Sequence, residues 1–191
     1  MISKLPMAIF MSKKNKILKV KLEKYSNTPS EISVWNIFDN EHGHHIHNKR
    51  EYGDGMDISQ IMIEDKNFCL EIAQQRMPIF SFIKRKSVLF HFVDNDNSVY
   101  QWSCFWGIPI AQKFSVAKES KNGLYKHTLQ YAFELSGVMK FFSKLIEKYA
   151  KKWMEKTWKE DLVMKERYFK FLTHGFKNMR GLPEKIEDRY I

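Results

Sequence analysis

The chain has 191 residues, a length that fits one domain with a substantial core and is short for two. Hydrophobic residues make up 43% of it and aromatic residues 15%, which excludes disorder, while 28% charged residues indicate a surface facing water. The formal net charge of +10 favours anionic partners, yet lysines and acids are interspersed and no nucleic-acid motif occurs, so we expect no nucleic-acid partner.

The N-terminal residues 1–11 contain one short apolar run, flanked by basic residues and without a small-residue cleavage site, which is a poor signal peptide. Nothing approaches the roughly 18 consecutive apolar residues that a membrane span needs. Cys69 and Cys104 are too few for a disulfide framework or a zinc knuckle. We therefore expect a cytoplasmic protein that can meet a membrane surface but is not integral to it.

The first predicted elements are a strand and a helix. Residues 17–25 alternate apolar and polar side chains, as a half-buried strand does. Thr28 then fits a helix N-cap, Pro29 the first helical position and Glu31 the acidic position three residues after the cap. A helix is therefore predicted to begin directly after the strand.

Six further strands are predicted at 58–64, 68–75, 88–94, 99–106, 111–118 and 124–135. The polar turn segments 94–97 and 120–123 are short enough to be hairpin loops between antiparallel neighbours. A meander is the simplest topology for this series.

The apolar period changes to threes and fours from Ser136, which predicts a long helix that ends near Gly175. A helix of about forty residues needs a broad sheet beneath it or a bend. We expect one domain over 1–191, with a core at about 15–175 and a polar surface tail at 181–191.

This order of elements resembles the helix-grip, or START-like, superfamily. The resemblance implies an α+β fold in which a curved antiparallel sheet surrounds a long C-terminal helix. It also implies a cavity, because a bent sheet and a helix laid across it do not pack flush along their whole length. The predicted substrate-binding residues are Trp102, Trp106, His127 and Tyr131. Further candidates for the lining are Cys104, Tyr125 and Phe133. Core packing is the alternative role for each of these residues.

Four of the seven histidines lie within residues 42–47. Neutral imidazoles bind iron, zinc, copper or nickel, and two histidines with one carboxylate form the facial site of non-haem iron oxygenases. The spacing Asp39, two residues, His42, four residues, His47 resembles the iron signature of the catalytic domain of Rieske-type aromatic-ring-hydroxylating oxygenases. That resemblance implies ferrous iron, Fe(II), held by His42 and His47. It also implies a third ligand at Asp161 and a catalytic Asp39 that connects the iron to a neighbouring subunit.

Several observations leave alternatives open. No paired cysteine and histidine motifs occur, so we expect no Rieske cluster, and electrons would come from a separate electron-transfer protein. Residues five apart are rotated by about 140° on a helix, so His44 or His45 can replace one of the proposed ligands. Asp161 can instead form a salt bridge with a nearby lysine, Lys156, Lys159 or Lys165.

Two functions follow from these patterns. The first is a mononuclear non-haem iron oxygenase, a hydroxylase-like oxidoreductase acting on a hydrophobic or aromatic substrate in an internal cavity. The alternative is a non-catalytic START-like protein that binds or transports a lipid, a polyketide or another apolar ligand, and whose basic surface approaches anionic membranes.

Overall fold

The protein is described here by a computed structural model that covers residues 14–38, 56–65, 68–76, 84–95, 97–105, 107–118 and 123–173. Its strands are β1 (Lys16–Ser26), β2 (Met56–Asp65), β3 (Phe68–Arg76), β4 (Lys84–Asn95), β5 (Ser98–Phe105), β6 (Ile108–Lys118) and β7 (Tyr125–Leu135). Its α-helices are α1 (Ser30–Phe38) and α2 (Ser143–Thr173), and a 3₁₀ turn, Gly137–Lys140, precedes α2.

The strands form one antiparallel sheet in the order β1-β7-β6-β5-β4-β3-β2. Strands β2 to β7 follow one another as a meander, and β1 pairs with β7 at the other end. This confirms the predicted α+β helix-grip architecture, a curved sheet with one long C-terminal helix. Alternate residues of a strand share a face, so the register decides which side chains meet the helices.

We call the inner face the side of the sheet on which both helices pack. Under α2 the core contains Val20, Leu129 and Phe133 from the strands and Met154 from the helix. A smaller cluster forms where Val34 of α1 packs against the inner face of β3 and β5. The two helices therefore cover different parts of the same face.

Two element boundaries differ most from the predicted ones. Strand β4 begins at Lys84 rather than at 88, because its first residues pair with the end of β3 although their side chains are basic. Backbone pairing needs no apolar side chain. The last helix begins at Ser143, after the 3₁₀ turn, and not at Ser136.

Candidate ligand-binding site

The β7 residues that point towards α2 are those at odd positions. His127 lies against Trp158 of the helix, with 4.9 Å between ring centroids, and Tyr131 lies against Trp153 at 5.5 Å. Both were predicted to bind substrate, and both lie on the inner face beneath α2. They are 0% and 7% exposed, respectively.

His127 is a neutral imidazole at physiological pH. Its pKa is lowered to about 4, first by burial and then by the positive charge of Lys165, while a hydrogen bond to the Thr28 backbone opposes both effects. Its Nε2 lies 2.8 Å from Oγ of Ser26, a buried serine at the end of β1. That contact fixes the ring, so β1 and β7 together position it.

Lys165 is the most unusual member of this region, because it is a lysine that is only 2% exposed. Its Nζ lies 5.0 Å from the Phe114 ring centroid and 5.1 Å from the Trp158 ring centroid, within cation–π range. Burial lowers the pKa of Lys165, and the neighbouring carboxylate of Asp161 opposes that shift. An ammonium group is thus held between two aromatic rings in the interior.

Asp161 lies one turn before Lys165 on α2, with 3.9 Å between Oδ2 and Nζ. This is the lysine contact that the sequence left open as an alternative to metal binding. Burial raises the pKa of Tyr131, and the negative charge of Asp161 raises it further, so the phenol stays protonated and can donate a hydrogen bond. His127, Tyr131, Asp161 and Lys165 therefore form one polar group among aromatic rings.

A second polar group lies on the inner face of β3, β4 and β5. His91 Nε2 is 3.1 Å from the Glu71 carboxylate and 3.4 Å from the Gln101 side-chain amide. The cross-strand register places His91 opposite Gln101, Gln101 opposite Gln112, and Gln112 opposite Tyr131. We call these four residues the polar row; it crosses the inner face from β4 to β7, about 15 Å at the usual strand spacing.

The middle of the polar row is not fully covered. Gln101 and Gln112 lie in the centre of the sheet on its inner face, yet both keep intermediate exposure. The ends of the row are buried, with His91 4% and Tyr131 7% exposed. The helices therefore leave part of the inner face accessible between them.

Among the other predicted site residues, Phe133 and Tyr125 belong to the core beneath α2, one lies on the other face of the sheet, and six lie outside the described residues. Trp102 lies on the outer face, where its ring contacts Phe90 and stacks on Tyr100. The register explains this, because Trp102 pairs with Ala111, whose side chain points away from α2. The predicted residues for which the structure gives no description are Asp39, His42, His44, His45, His47 and Trp106.

The predicted iron site stays a prediction. Two of its three ligands, His42 and His47, fall outside the described residues. Within the parts of the chain that are described, no three histidine, cysteine or acidic side chains are grouped so as to hold a metal ion. Nor does any helix there have the length and apolarity to cross a membrane.

Lys165 was predicted only as a possible salt-bridge partner of Asp161, although its spacing from Trp158 indicated that it lies on the packed side of α2. Trp158, Asp161 and Lys165 are spaced by three and four residues, so they share one side of a helix. Trp158 belongs to the apolar side, and that spacing places a lysine beside it. Its burial was not predicted, because charged residues normally face water.

Comparison with known proteins gives a fold but no family. No protein-family model matches the chain, and no curated protein matches it. Among solved structures it is similar to the Zhui aromatase/cyclase from Streptomyces sp. R1128, with a TM-score of 0.63 and 8% identity over 81% of this chain and 96% of the other. A protein of unknown function from Staphylococcus aureus, SA2116, gives a TM-score of 0.61 at 9% identity, over 83% and 99% of the two chains. A START superfamily protein from Mycobacterium smegmatis gives 0.55 at 11% identity, over 78% and 97%.

These similarities define the class of fold as helix-grip. They also show that the resemblance to Rieske-type oxygenases is wrong, because the similar structures of described class are an aromatase/cyclase and a START superfamily protein, and none of the three named above is an oxygenase by name. The motif that suggested it spans only nine residues, Asp39 to His47, and the order of elements that supported it is common to other helix-grip proteins. The electron-transfer partner was expected only from that resemblance, and it loses its support.

Proposed function

We propose that the protein binds an apolar small molecule between the inner face of the sheet and α2, without catalysing a reaction on it. The accessible centre of the polar row carries this proposal. Polar side chains in a closed core are costly unless they are paired, whereas a binding site combines apolar walls with a few polar groups that orient the ligand. Gln101 and Gln112 have the placement that a ligand site requires.

The walls of this region suit an aromatic or aliphatic ligand. Phe114 and Trp158 lie beside Lys165, and Tyr131 and Trp153 pack edge to face beside them. The START superfamily protein and the aromatase/cyclase named above share the fold, which is consistent with a lipid, a polyketide or another apolar molecule as the ligand.

A neutral fluorescent probe, N-phenyl-1-naphthylamine, tests the proposal. Gln112→Phe fills the accessible centre of the inner face, so we expect it to weaken probe binding about tenfold or more. Ser115→Phe is the matched control, because Ser115 lies on the same strand but faces outward. Equal binding by wild type and Gln112→Phe, or no saturable binding by the wild type, would refute the proposed function.

A further inference from the structure

We propose that the ligand carries a carboxylate and that Lys165 binds it. This inference rests on the proposed function and specifies the chemistry of the ligand. The ligand would be an amphiphile with an apolar body along the inner face and one acidic group directed at Lys165.

The interior leaves the Lys165 ammonium short of acceptors. Its Nζ carries three N–H donors, and among the described residues its polar neighbour is the Asp161 carboxylate at 3.9 Å, beyond hydrogen-bond distance. The two aromatic rings offer only their faces. A buried ammonium is costly unless acceptors surround it, so a ligand oxygen at 2.7–2.9 Å would supply what the chain does not.

The surrounding groups favour an acid over a neutral or basic ligand group. Tyr131 remains a protonated phenol and adds another donor near Asp161. His127 is neutral, so it does not compete with Lys165 as a cation. Asp161 is itself partly solvated, with 14% of its side chain exposed, and therefore neutralises Lys165 incompletely. Among the described residues, Lys165 Nζ thus has no acceptor within hydrogen-bond distance, and an acidic ligand group would supply one.

The test compares cis-parinaric acid with its methyl ester, which share the same apolar fluorescent body. We expect the wild type to bind the acid about tenfold more tightly than the ester, the size of effect that a hydrogen bond to a charged group gives. Lys165→Met should lower the ratio of the two affinities to about one. Lys159→Met, an exposed lysine on the same helix, should keep the wild-type ratio.

Asp161→Asn gives a second reading that does not depend on removing Lys165. It removes the carboxylate that competes for the ammonium, so the acid should bind more tightly relative to the ester. Equal affinity of the wild type for acid and ester, or an unchanged ratio in Lys165→Met, overturns the role of Lys165 and leaves the proposed function intact. Failure of both ligands to bind any variant overturns both proposals.

The 3₁₀ turn and the start of α2 carry exposed apolar side chains together with several lysines. Five large apolar side chains between the 3₁₀ turn and the second turn of α2 are between 50% and 86% exposed, and they are Val138, Phe141, Phe142, Leu145 and Tyr149. Residues 136–152 also contain five lysines and a single glutamate, Glu147, which pairs with Lys151 at 2.7 Å. We call this combination the basic apolar surface.

We infer that the basic apolar surface docks on an anionic lipid membrane. Exposed aromatic and aliphatic side chains insert into the headgroup region, while lysines extend their ammonium groups towards lipid phosphates. Each lysine near an anionic surface adds to this attraction, which salt screens. A second copy of the chain would place the same lysines against one another, so charge complementarity favours the lipid.

Co-sedimentation with vesicles tests this docking. We expect binding to phosphatidylcholine vesicles that contain phosphatidylserine, weaker binding without it, and loss of binding at high salt. Phe141→Ser combined with Phe142→Ser should weaken binding about tenfold or more, because the two changes remove apolar surface that would insert into the membrane. Val163→Ser, an exposed position farther along α2, is the control. Unchanged binding by the double variant, or a dimer in solution that the double variant loses, would overturn the inference.

Discussion

His127 and Lys165 are two buried basic side chains, and burial lowers the pKa of each. Burial is the first cause of the lowered pKa of each, and their mutual repulsion lowers that of His127 further. A group whose pKa is lower in the folded state binds more protons when the chain unfolds. Each residue therefore makes the folded state more stable as the pH rises through its own range.

The histidine gives a pH dependence within reach of ordinary measurements. Unfolding restores a pKa near 6.5 from about 4, so stability should fall as the pH drops from about 6.5 to 4, by at most about 3 kcal/mol. Protonation of carboxylates adds to this, so the difference between variants is the readout. Urea unfolding of wild type and His127→Gln at both ends of the range should show a smaller loss in the variant. The same loss in both proteins would contradict the neutral, buried imidazole.

Lys165→Met tests whether the buried lysine is retained for stability. Lys165→Met removes the desolvation cost of the ammonium, and the charge that it leaves behind, on Asp161, keeps partial access to water, with 14% of its side chain exposed. We expect urea unfolding to show equal or greater stability for Lys165→Met, and a change within about 0.5 kcal/mol for the exposed Lys159→Met. A loss of more than about 1 kcal/mol in Lys165→Met would mean that the lysine is structural.

The connection between β7 and α2 sets the direction in which the long helix crosses the sheet. Gly137 begins the 3₁₀ turn with φ +48°, in the left-handed region that other residues avoid. A Cβ at this position would meet no atom within 4 Å. The glycine is therefore required for its backbone conformation and not for space.

Gly137→Ala should lower the free energy of unfolding by about 1 kcal/mol, because alanine disfavours a positive φ. Gly137→Asn should cost less, since asparagine tolerates this conformation better. Thermal unfolding of the two variants measures the difference. Equal stability of wild type and Gly137→Ala would show that the turn can adopt another conformation.

The elements were predictable from the sequence to a greater extent than the site. Strand alternation and the change to a helical period at Ser136 depend on local spacing, which the sequence shows directly. The pairing register, and not the local pattern, decides which side chains of a strand point inward. It places Trp102 on the outer face and His127 on the inner face, although both lie in predicted strands. The burial of Lys165 was not predicted, because it follows from the packing of α2 and not from the chemistry of the lysine itself.

In the molecule as a whole, the sheet and α2 carry two separate sets of side chains. The inner face combines aromatic walls with the polar row and the buried Lys165, whereas the start of α2 presents apolar side chains and lysines outward. A small-molecule site and a docking surface on one helix are compatible with binding an amphiphile near a membrane. The net charge of +10 agrees with an acidic ligand at the first and an anionic membrane at the second.

The location of the ligand is the central claim, and the tryptophan indole N–H signals in heteronuclear NMR test it most directly. Trp158 lies beside Lys165 on the inner side, and Trp102 lies on the outer face of the sheet. Titration with cis-parinaric acid should shift the Trp158 signal saturably and leave the Trp102 signal unchanged. A saturable shift of Trp102 without one at Trp158, or no saturable shift at all, would contradict the account.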